Sequence, residues 1–446
     1  MKRTYFLAGL VFIAGLLSCG RAGSKYNLAA AVDTMVTCSS DPANSYEIYI
    51  PQRGEQQGDL PLLVILDPHG NGRFTLEKFR AAADSYGLVL VASNMVRNNM
   101  ENYAGAIRTL INDVKARYPA GEQIFLAGFS GGARMALGYA LVHPVNGLLL
   151  SGALAGPDQI TALGCPVYSL SGTDDFNFME TAQYLAGGQT IPEQLKIELV
   201  SGSHSWPDSS LLEQATGFLY FASAPGGHKG SEKAILKELM QEQQQRIDEL
   251  KQKGDLLGAA MLARNCASTE PFKSEKVFER TYRDLIADPA YARLLKQLEK
   301  SLNYELGVRQ PYLEAIRTRD SLWWNKEITS LDDRIAREQD PMTRATYQRI
   351  RSFLGIACFS LCRQAAGEKD QATLNRILHV YRILEPDNPD VIYYSAFPLL
   401  WKGRQEAAVA ELNRALEAGF TDMARLRNDF PGTVSSMVGK QDLRDR

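Results

Sequence analysis

Cysteine is scarce, at six in 446 residues, which excludes a dense disulfide framework. The five beyond Cys19 (Cys38, Cys165, Cys266, Cys358 and Cys362) are odd in number and show no zinc-site spacing, so they read as buried apolar side chains. Cys358 and Cys362 stand one helical turn apart, which does not by itself make a bridge. Charge of one sign is also missing: the formal net charge is −2, and no long basic run is interleaved with aromatics. That sets nucleic-acid binding aside. No P-loop lysine accompanies the glycine-rich stretches, which removes the nucleotide cradle. Histidine is sparse at five residues, so each can be weighed individually. What remains, 45% hydrophobic and 22% charged, is ordinary globular composition, long enough for two or three domains.

The N-terminus carries a positive start, "MKR", then the apolar run "FLAGLVFIAGLL", then "LSCG". This is the pattern of an export signal, and its apolar run is short for a membrane span. Leu16-Leu17-Ser18-Cys19 resembles the lipobox of bacterial lipoproteins, which implies cleavage before Cys19 and lipidation of that thiol. An ordinary secretory peptide is the alternative. "GRAGSK" after Cys19 has no acidic cluster, so the expectation is a cell-envelope protein, lipid-anchored and periplasm-facing. Residues 1–18 are thus read as signal and 19–45 as a tether.

From residue 46 to 223, short apolar runs ("LPLLVIL", "LVLVAS", "IFLAG", "GLLLSG", "VYSLSG", "LKIELV") alternate with helical patterns such as "YAGAIRTLINDVKARY". This alternation predicts an α/β fold, a mainly parallel sheet with helices on both faces, whose sites form at the carboxyl ends of strands. A composition break at 224–230 is read as a linker, and the strand signal ends there. Residues 231–446 read as all-α. In "DVIYYSAFPLLWKGRQEAAVAELNRALEAGFTD", Gly403 divides two helix patterns, and the unit resembles a tetratricopeptide repeat. A plain helical bundle is the alternative.

One serine stands where strand meets helix, in "IFLAGFSGGARM". A serine between glycines is often only a turn residue. Here four apolar residues precede Gly128 and a helix pattern follows, so Ser130 is placed on a sharp strand-to-helix turn. Its hydroxyl would clear the sheet and the Gly131 amide would face a developing oxyanion. Loops after three other strands supply polar partners: Asp67-Pro-His-Gly-Asn-Gly72, Ser171-Gly-Thr-Asp-Asp175 and Ser201-Gly-Ser-His-Ser-Trp206. Of the five histidines, His204 follows the last strand and has a near-neutral pKa suited to shuttling a proton. The Asn71 amide, between glycines, is the candidate second oxyanion donor, and His69 reads as structural.

"GFSGGARMA" and "GSHSWPD" are similar to motifs of the polyhydroxybutyrate depolymerase, feruloyl esterase and acetylxylan esterase group of α/β-hydrolases. The resemblance covers residues 46–223 and implies a catalytic Ser130, His204 and an aspartate. The family's Gly-x-x-Asp pattern selects Asp175, with Asp174 second. Arg134 departs from the small residue common beside the elbow, which bears on substrate more than chemistry. The resemblance implies hydrolysis of carboxylic esters without metal or cofactor, on an ester substrate that a lidless site would allow to be polymeric. A serine peptidase, or a silent hydrolase fold binding a protein partner through its helical repeats, are the other readings.

Overall fold

The apolar runs become strands because β-branched and leucine side chains on both faces of a central strand can be buried by helices. The computed structural model describes residues 31–52, 58–186, 190–223 and 230–431; the export-signal segment with Cys19, and residues 224–229 of the expected linker, lie outside them. The strands are Val32–Cys38 (β1), Asp41–Ile50 (β2), Leu60–Leu66 (β3), Val89–Ser93 (β4), Ala120–Phe129 (β5), Gly147–Ser151 (β6), Val167–Gly172 (β7) and Leu195–Val200 (β8). They form one sheet in the order β1-β2-β4-β3-β5-β6-β7-β8. β2 runs antiparallel to β1 and β4, and β3 to β8 are mutually parallel.

Helices Gly72–Tyr86 (α1), Tyr103–Arg117 (α2), Gly131–Ala140 (α3), Pro157–Thr161 (α4), Phe178–Ala186 (α5) and Ser209–Ser223 (α6) connect and follow the strands. This is the α/β-hydrolase fold expected from the sequence. The sheet starts earlier than residue 46, because β1 and part of β2 occupy the stretch read as a tether. β1 is an edge strand whose side chains are largely outside the core, with only Val36 and Cys38 buried, so no apolar run marks it. Asp113 on α2 fixes this hairpin, accepting from Ser39 N at 2.8 Å and Tyr46 Oη at 2.7 Å.

Beyond the sheet the described chain is helical: Ser231–Gln252 (α7), Leu256–Ala267 (α8), Lys276–Ala287 (α9), Pro289–Thr318 (α10), Ser321–Arg337 (α11), Pro341–Gly367 (α12), Gln371–Leu384 (α13), Pro389–Trp401 (α14), Gln405–Glu417 (α15) and Met423–Asp429 (α16). Aspartates start many of them: Asp255, Asp320 and Asp370 each accept a backbone N–H of the first turn.

The apolar packing does not divide at the composition break. One core runs from Val36 through the sheet and on to Leu302 in α10, and a second runs from Ala315 to Phe430. α8 lies along the β8 edge, where the Asn265 side chain accepts from Ile197 N (3.2 Å) and donates to Ile197 O (2.9 Å), as a neighbouring strand would. Phe272 stacks on Phe218 of α6 at 4.4 Å between ring centroids. Even the polar positions of β8 are buried: Glu198 pairs with Arg246 of α7 and accepts from Tyr168 Oη, and Lys196 Nζ donates to Ser268 Oγ at 2.9 Å.

Candidate active site

The end of β5 and the start of α3 meet at Ser130, whose backbone takes φ 52° and ψ −118°. A non-glycine residue in this region is strained, and such strain collects at functional turns. Two contacts hold it: Ser130 N donates to Ser151 O at 2.8 Å, and Arg134 N to Ser130 O at 3.1 Å. Gly132 is a steric requirement, since a Cβ there would collide with the backbone carbonyl of Leu66, whereas one on Gly131 would meet the side-chain end of Asn98.

The loops after β7 and β8 converge on this turn. His204 Nε2 lies 2.9 Å from Ser130 Oγ, and His204 Nδ1 lies 2.8 Å from Asp175 Oδ2. Asp175 is 2% exposed, and its Oδ1 also accepts from Asn177 N at 2.8 Å. With Nδ1 donating to Asp175, Nε2 is left free to accept from the serine hydroxyl. The imidazole is packed between the rings of Phe129 and Phe176, at 4.6 and 4.2 Å between centroids. Its side chain retains 21% exposure, against 3% for that of Asp175.

Asp174 takes no part in this chain. Its amide donates to Gly202 O at 3.0 Å, and its carboxylate accepts only a long contact from Thr173 Oγ1, 3.4 Å. Partial burial raises its pKa above the usual aspartate value, a pull that Arg349 opposes. The structure therefore brings Asp175, not Asp174, to the histidine.

Gly131 is the first residue of α3, so its N–H is one of those a helix cannot bond internally. Asn71 precedes α1 as its cap: its side chain accepts from Phe74 N, and its own amide leans toward Asp67 Oδ1 at 3.4 Å, a long contact. His69 is exposed and sits 3.7 Å from Asp67.

Several residues given no catalytic role in the sequence reading support this group. Asp67, 4% exposed, accepts from His69 N (2.8 Å) and from Trp206 Nε1 (2.9 Å), tying the loop after β3 to the histidine loop. Trp206 in turn packs on Phe129 and Phe79. Arg134 pairs with Glu180 of α5 at 2.6 Å, while the other Glu180 oxygen accepts from Leu154 N. Asp67 and Trp206 lay within loops singled out for other members; Phe176 and Glu180 gave no signal beyond adjacency. Among the described residues, no three His, Cys, Asp or Glu side chains gather as a metal site.

No family model matches the chain, and no curated protein does. Solved structures similar to it include a Xanthomonas campestris protein described as an a/b serine hydrolase without a lid, at 16% identity. That likeness covers 44% of this chain and 97% of the other, with TM-score 0.34. The 2,6-dihydroxy-pseudo-oxynicotine hydrolase is similar at 15% identity over 44% of this chain and 69% of its own, TM-score 0.34. A putative dienelactone hydrolase from Klebsiella pneumoniae is similar at 17% identity over 47% and 97%, TM-score 0.31.

Proposed function

We propose that this chain is a serine hydrolase of carboxylic esters working through an acyl-enzyme. One observation carries the reading: a hydroxyl on a strained strand-to-helix turn, an imidazole nitrogen 2.9 Å from it, and a buried carboxylate 2.8 Å from the other ring nitrogen. In this reading Ser130 Oγ attacks the ester carbonyl as His204 Nε2 takes its proton. Asp175 holds the tautomer and stabilises the imidazolium, and His204 then protonates the leaving alcohol. Water, activated by the same nitrogen, releases the acid. The Gly131 amide, reinforced by the α3 dipole, faces the oxyanion. Asn71 is the second donor, its 3.4 Å contact to Asp67 being weak enough to exchange for a substrate oxygen.

The partial exposure of His204 suits an ester carried on a bulky glycan or polymer. The family resemblance at residues 46–223 supports the same substrate class. The lipobox supports attachment to an envelope membrane through lipidated Cys19. The paired helices α14 and α15, with Gly403 at φ 72° between them, support a tetratricopeptide-like unit able to take a protein partner.

A fluorophosphonate probe and p-nitrophenyl acetate, set against a peptide amide, test the activity. Expected are probe labelling and ester turnover that vanish in Ser130→Ala, with no amide cleavage. A wild-type chain inert to probe and ester overturns the reading. Intact mass of membrane-extracted protein tests the anchor: an unmodified Cys19 overturns it.

A further inference from the structure

The loop that presents Asp175 is held from outside the sheet. Arg349 on α12 donates from Nη1 to Thr173 O at 2.7 Å and from Nε to Glu305 Oε2 at 2.8 Å. Arg309 on α10 donates from Nη2 to Phe176 O at 2.5 Å and also to Glu305, and from Nη1 toward Met179 Sδ at 2.7 Å. The two held carbonyls bracket Asp174 and Asp175. Both guanidinium groups converge on one carboxylate, and Glu305 and Arg349 are 1% and 2% exposed. Each guanidinium also lies over a ring, Arg349 above Phe178 (4.9 Å) and Arg309 above Phe353 (4.5 Å).

Burying a charge is expensive unless pairing and hydrogen bonds offset it, so this arrangement is a poor choice for merely gluing helices to a sheet. It is well suited to fixing a loop. A guanidinium fork is planar and rigid, and can hold a carboxylate and a carbonyl at set angles together. Phe176, whose carbonyl is held, also presses its ring on His204.

We propose that Arg309 and Arg349, joined through Glu305, are positioning residues: they fix the carbonyls of Thr173 and Phe176 and so hold Asp175 against His204 Nδ1. The helical region is then a working part of the active site. This rests on the hydrolase reading above.

The test uses the full chain and the pair-neutral variant Glu305→Gln/Arg349→Gln, which removes one charge of each sign and also takes from Arg309 its carboxylate partner. It is placed in a double-mutant cycle with Asp175→Asn. Alone, the variant is expected to lower kcat on p-nitrophenyl acetate by about 10-fold or more with KM within about 2-fold, whereas on top of Asp175→Asn it costs less than about 3-fold. Hydrogen exchange at residues 173–177 should quicken while that of α13 and α14 is unchanged. Arg351→Gln, on the same helix but paired with Asp332 of α11, should leave activity unchanged. Should the pair-neutral variant not fold, Arg309→Met, which keeps the Glu305–Arg349 pair, carries the same cycle. Equal losses in both backgrounds, or unchanged kcat and unchanged loop exchange, overturn the positioning role while a probe-reactive wild type leaves the hydrolase reading standing. A wild type that neither labels nor turns over the ester overturns both.

Discussion

Two stretches of helix follow the sheet and look alike in sequence, yet they pack on different things. α7 to α9 and the first part of α10 complete the core that begins at Val36, closing the β8 edge and covering its polar positions. The last turns of α10 and α11 to α16 build a core of their own around Trp324, Ile350, Tyr393 and Phe397. The border between the cores falls inside α10, between Leu302 and Ala315, although the composition changes at 224–230. A change of secondary-structure pattern marks where one kind of element stops; it does not mark where burial stops.

The largest effect tests which part carries the chemistry. Ser130→Ala and His204→Ala should each lower kcat by about 10⁴ or more, with circular dichroism unchanged. Asp175→Asn should be nearly as damaging, and Asp174→Asn mild, since the carboxylate bonded to His204 is that of Asp175. Steady-state kinetics on a small ester would show an exchange of the two aspartates at once.

Truncation comes next. A chain ending at Ser223 keeps every strand and the three clustered residues, but it bares the β8 edge and the faces of Phe218 and Tyr168, each 1% exposed in the full chain. Loss of soluble, cooperatively melting protein is expected; a well-folded, active fragment would show that the first core does not need α7 to α10.

Smaller still, Phe272→Ala and Trp324→Ala should each cost about 3–5 kcal/mol, but in different cores. The first should weaken the transition that carries ester turnover. The second should weaken the helical transition, read by thermal melts followed on both signals.

The least of these effects is in pH. Burial, with Arg264 adding, pushes the Lys196 ammonium down to about 8 from 10.5. Between those values the unfolded chain binds a proton that the folded chain lacks, so this group makes stability rise with pH across that window. Chemical denaturation of Lys196→Met beside wild type should show the variant gaining most at or below about pH 8, with the difference shrinking towards 10.5.

The central strands, the strained serine and the order of the three loops were legible because apolar runs and turn residues are local signals. Asp175 and Asp174 were not separable in that way, because which carboxylate turns inward depends on a turn closed by Asn177 N and on the Asp174 amide meeting Gly202 O of another loop. β1 was hidden because an edge strand with exposed side chains has no apolar run. "LKIELV" was legible as an apolar strand run, but its polar Lys196 and Glu198 are covered by helices more than forty positions onward, which no local signal marks. Arg349 meets Thr173 across 176 positions and Trp206 meets Asp67 across 139. Nothing in either neighbourhood announces such a meeting, since only the closed fold makes it.

The backbone of Ser130 has a consequence for how such a chain changes over generations. At φ 52° and ψ −118° a glycine would sit more comfortably than a serine, by about 1–3 kcal/mol on the usual scale of such strain. Selection for durability alone would therefore drift this position to glycine and discard the hydroxyl. Under the hydrolase reading it is the need for the hydroxyl that opposes this drift, and a laboratory lineage evolved only for heat resistance should reveal it by losing that residue early.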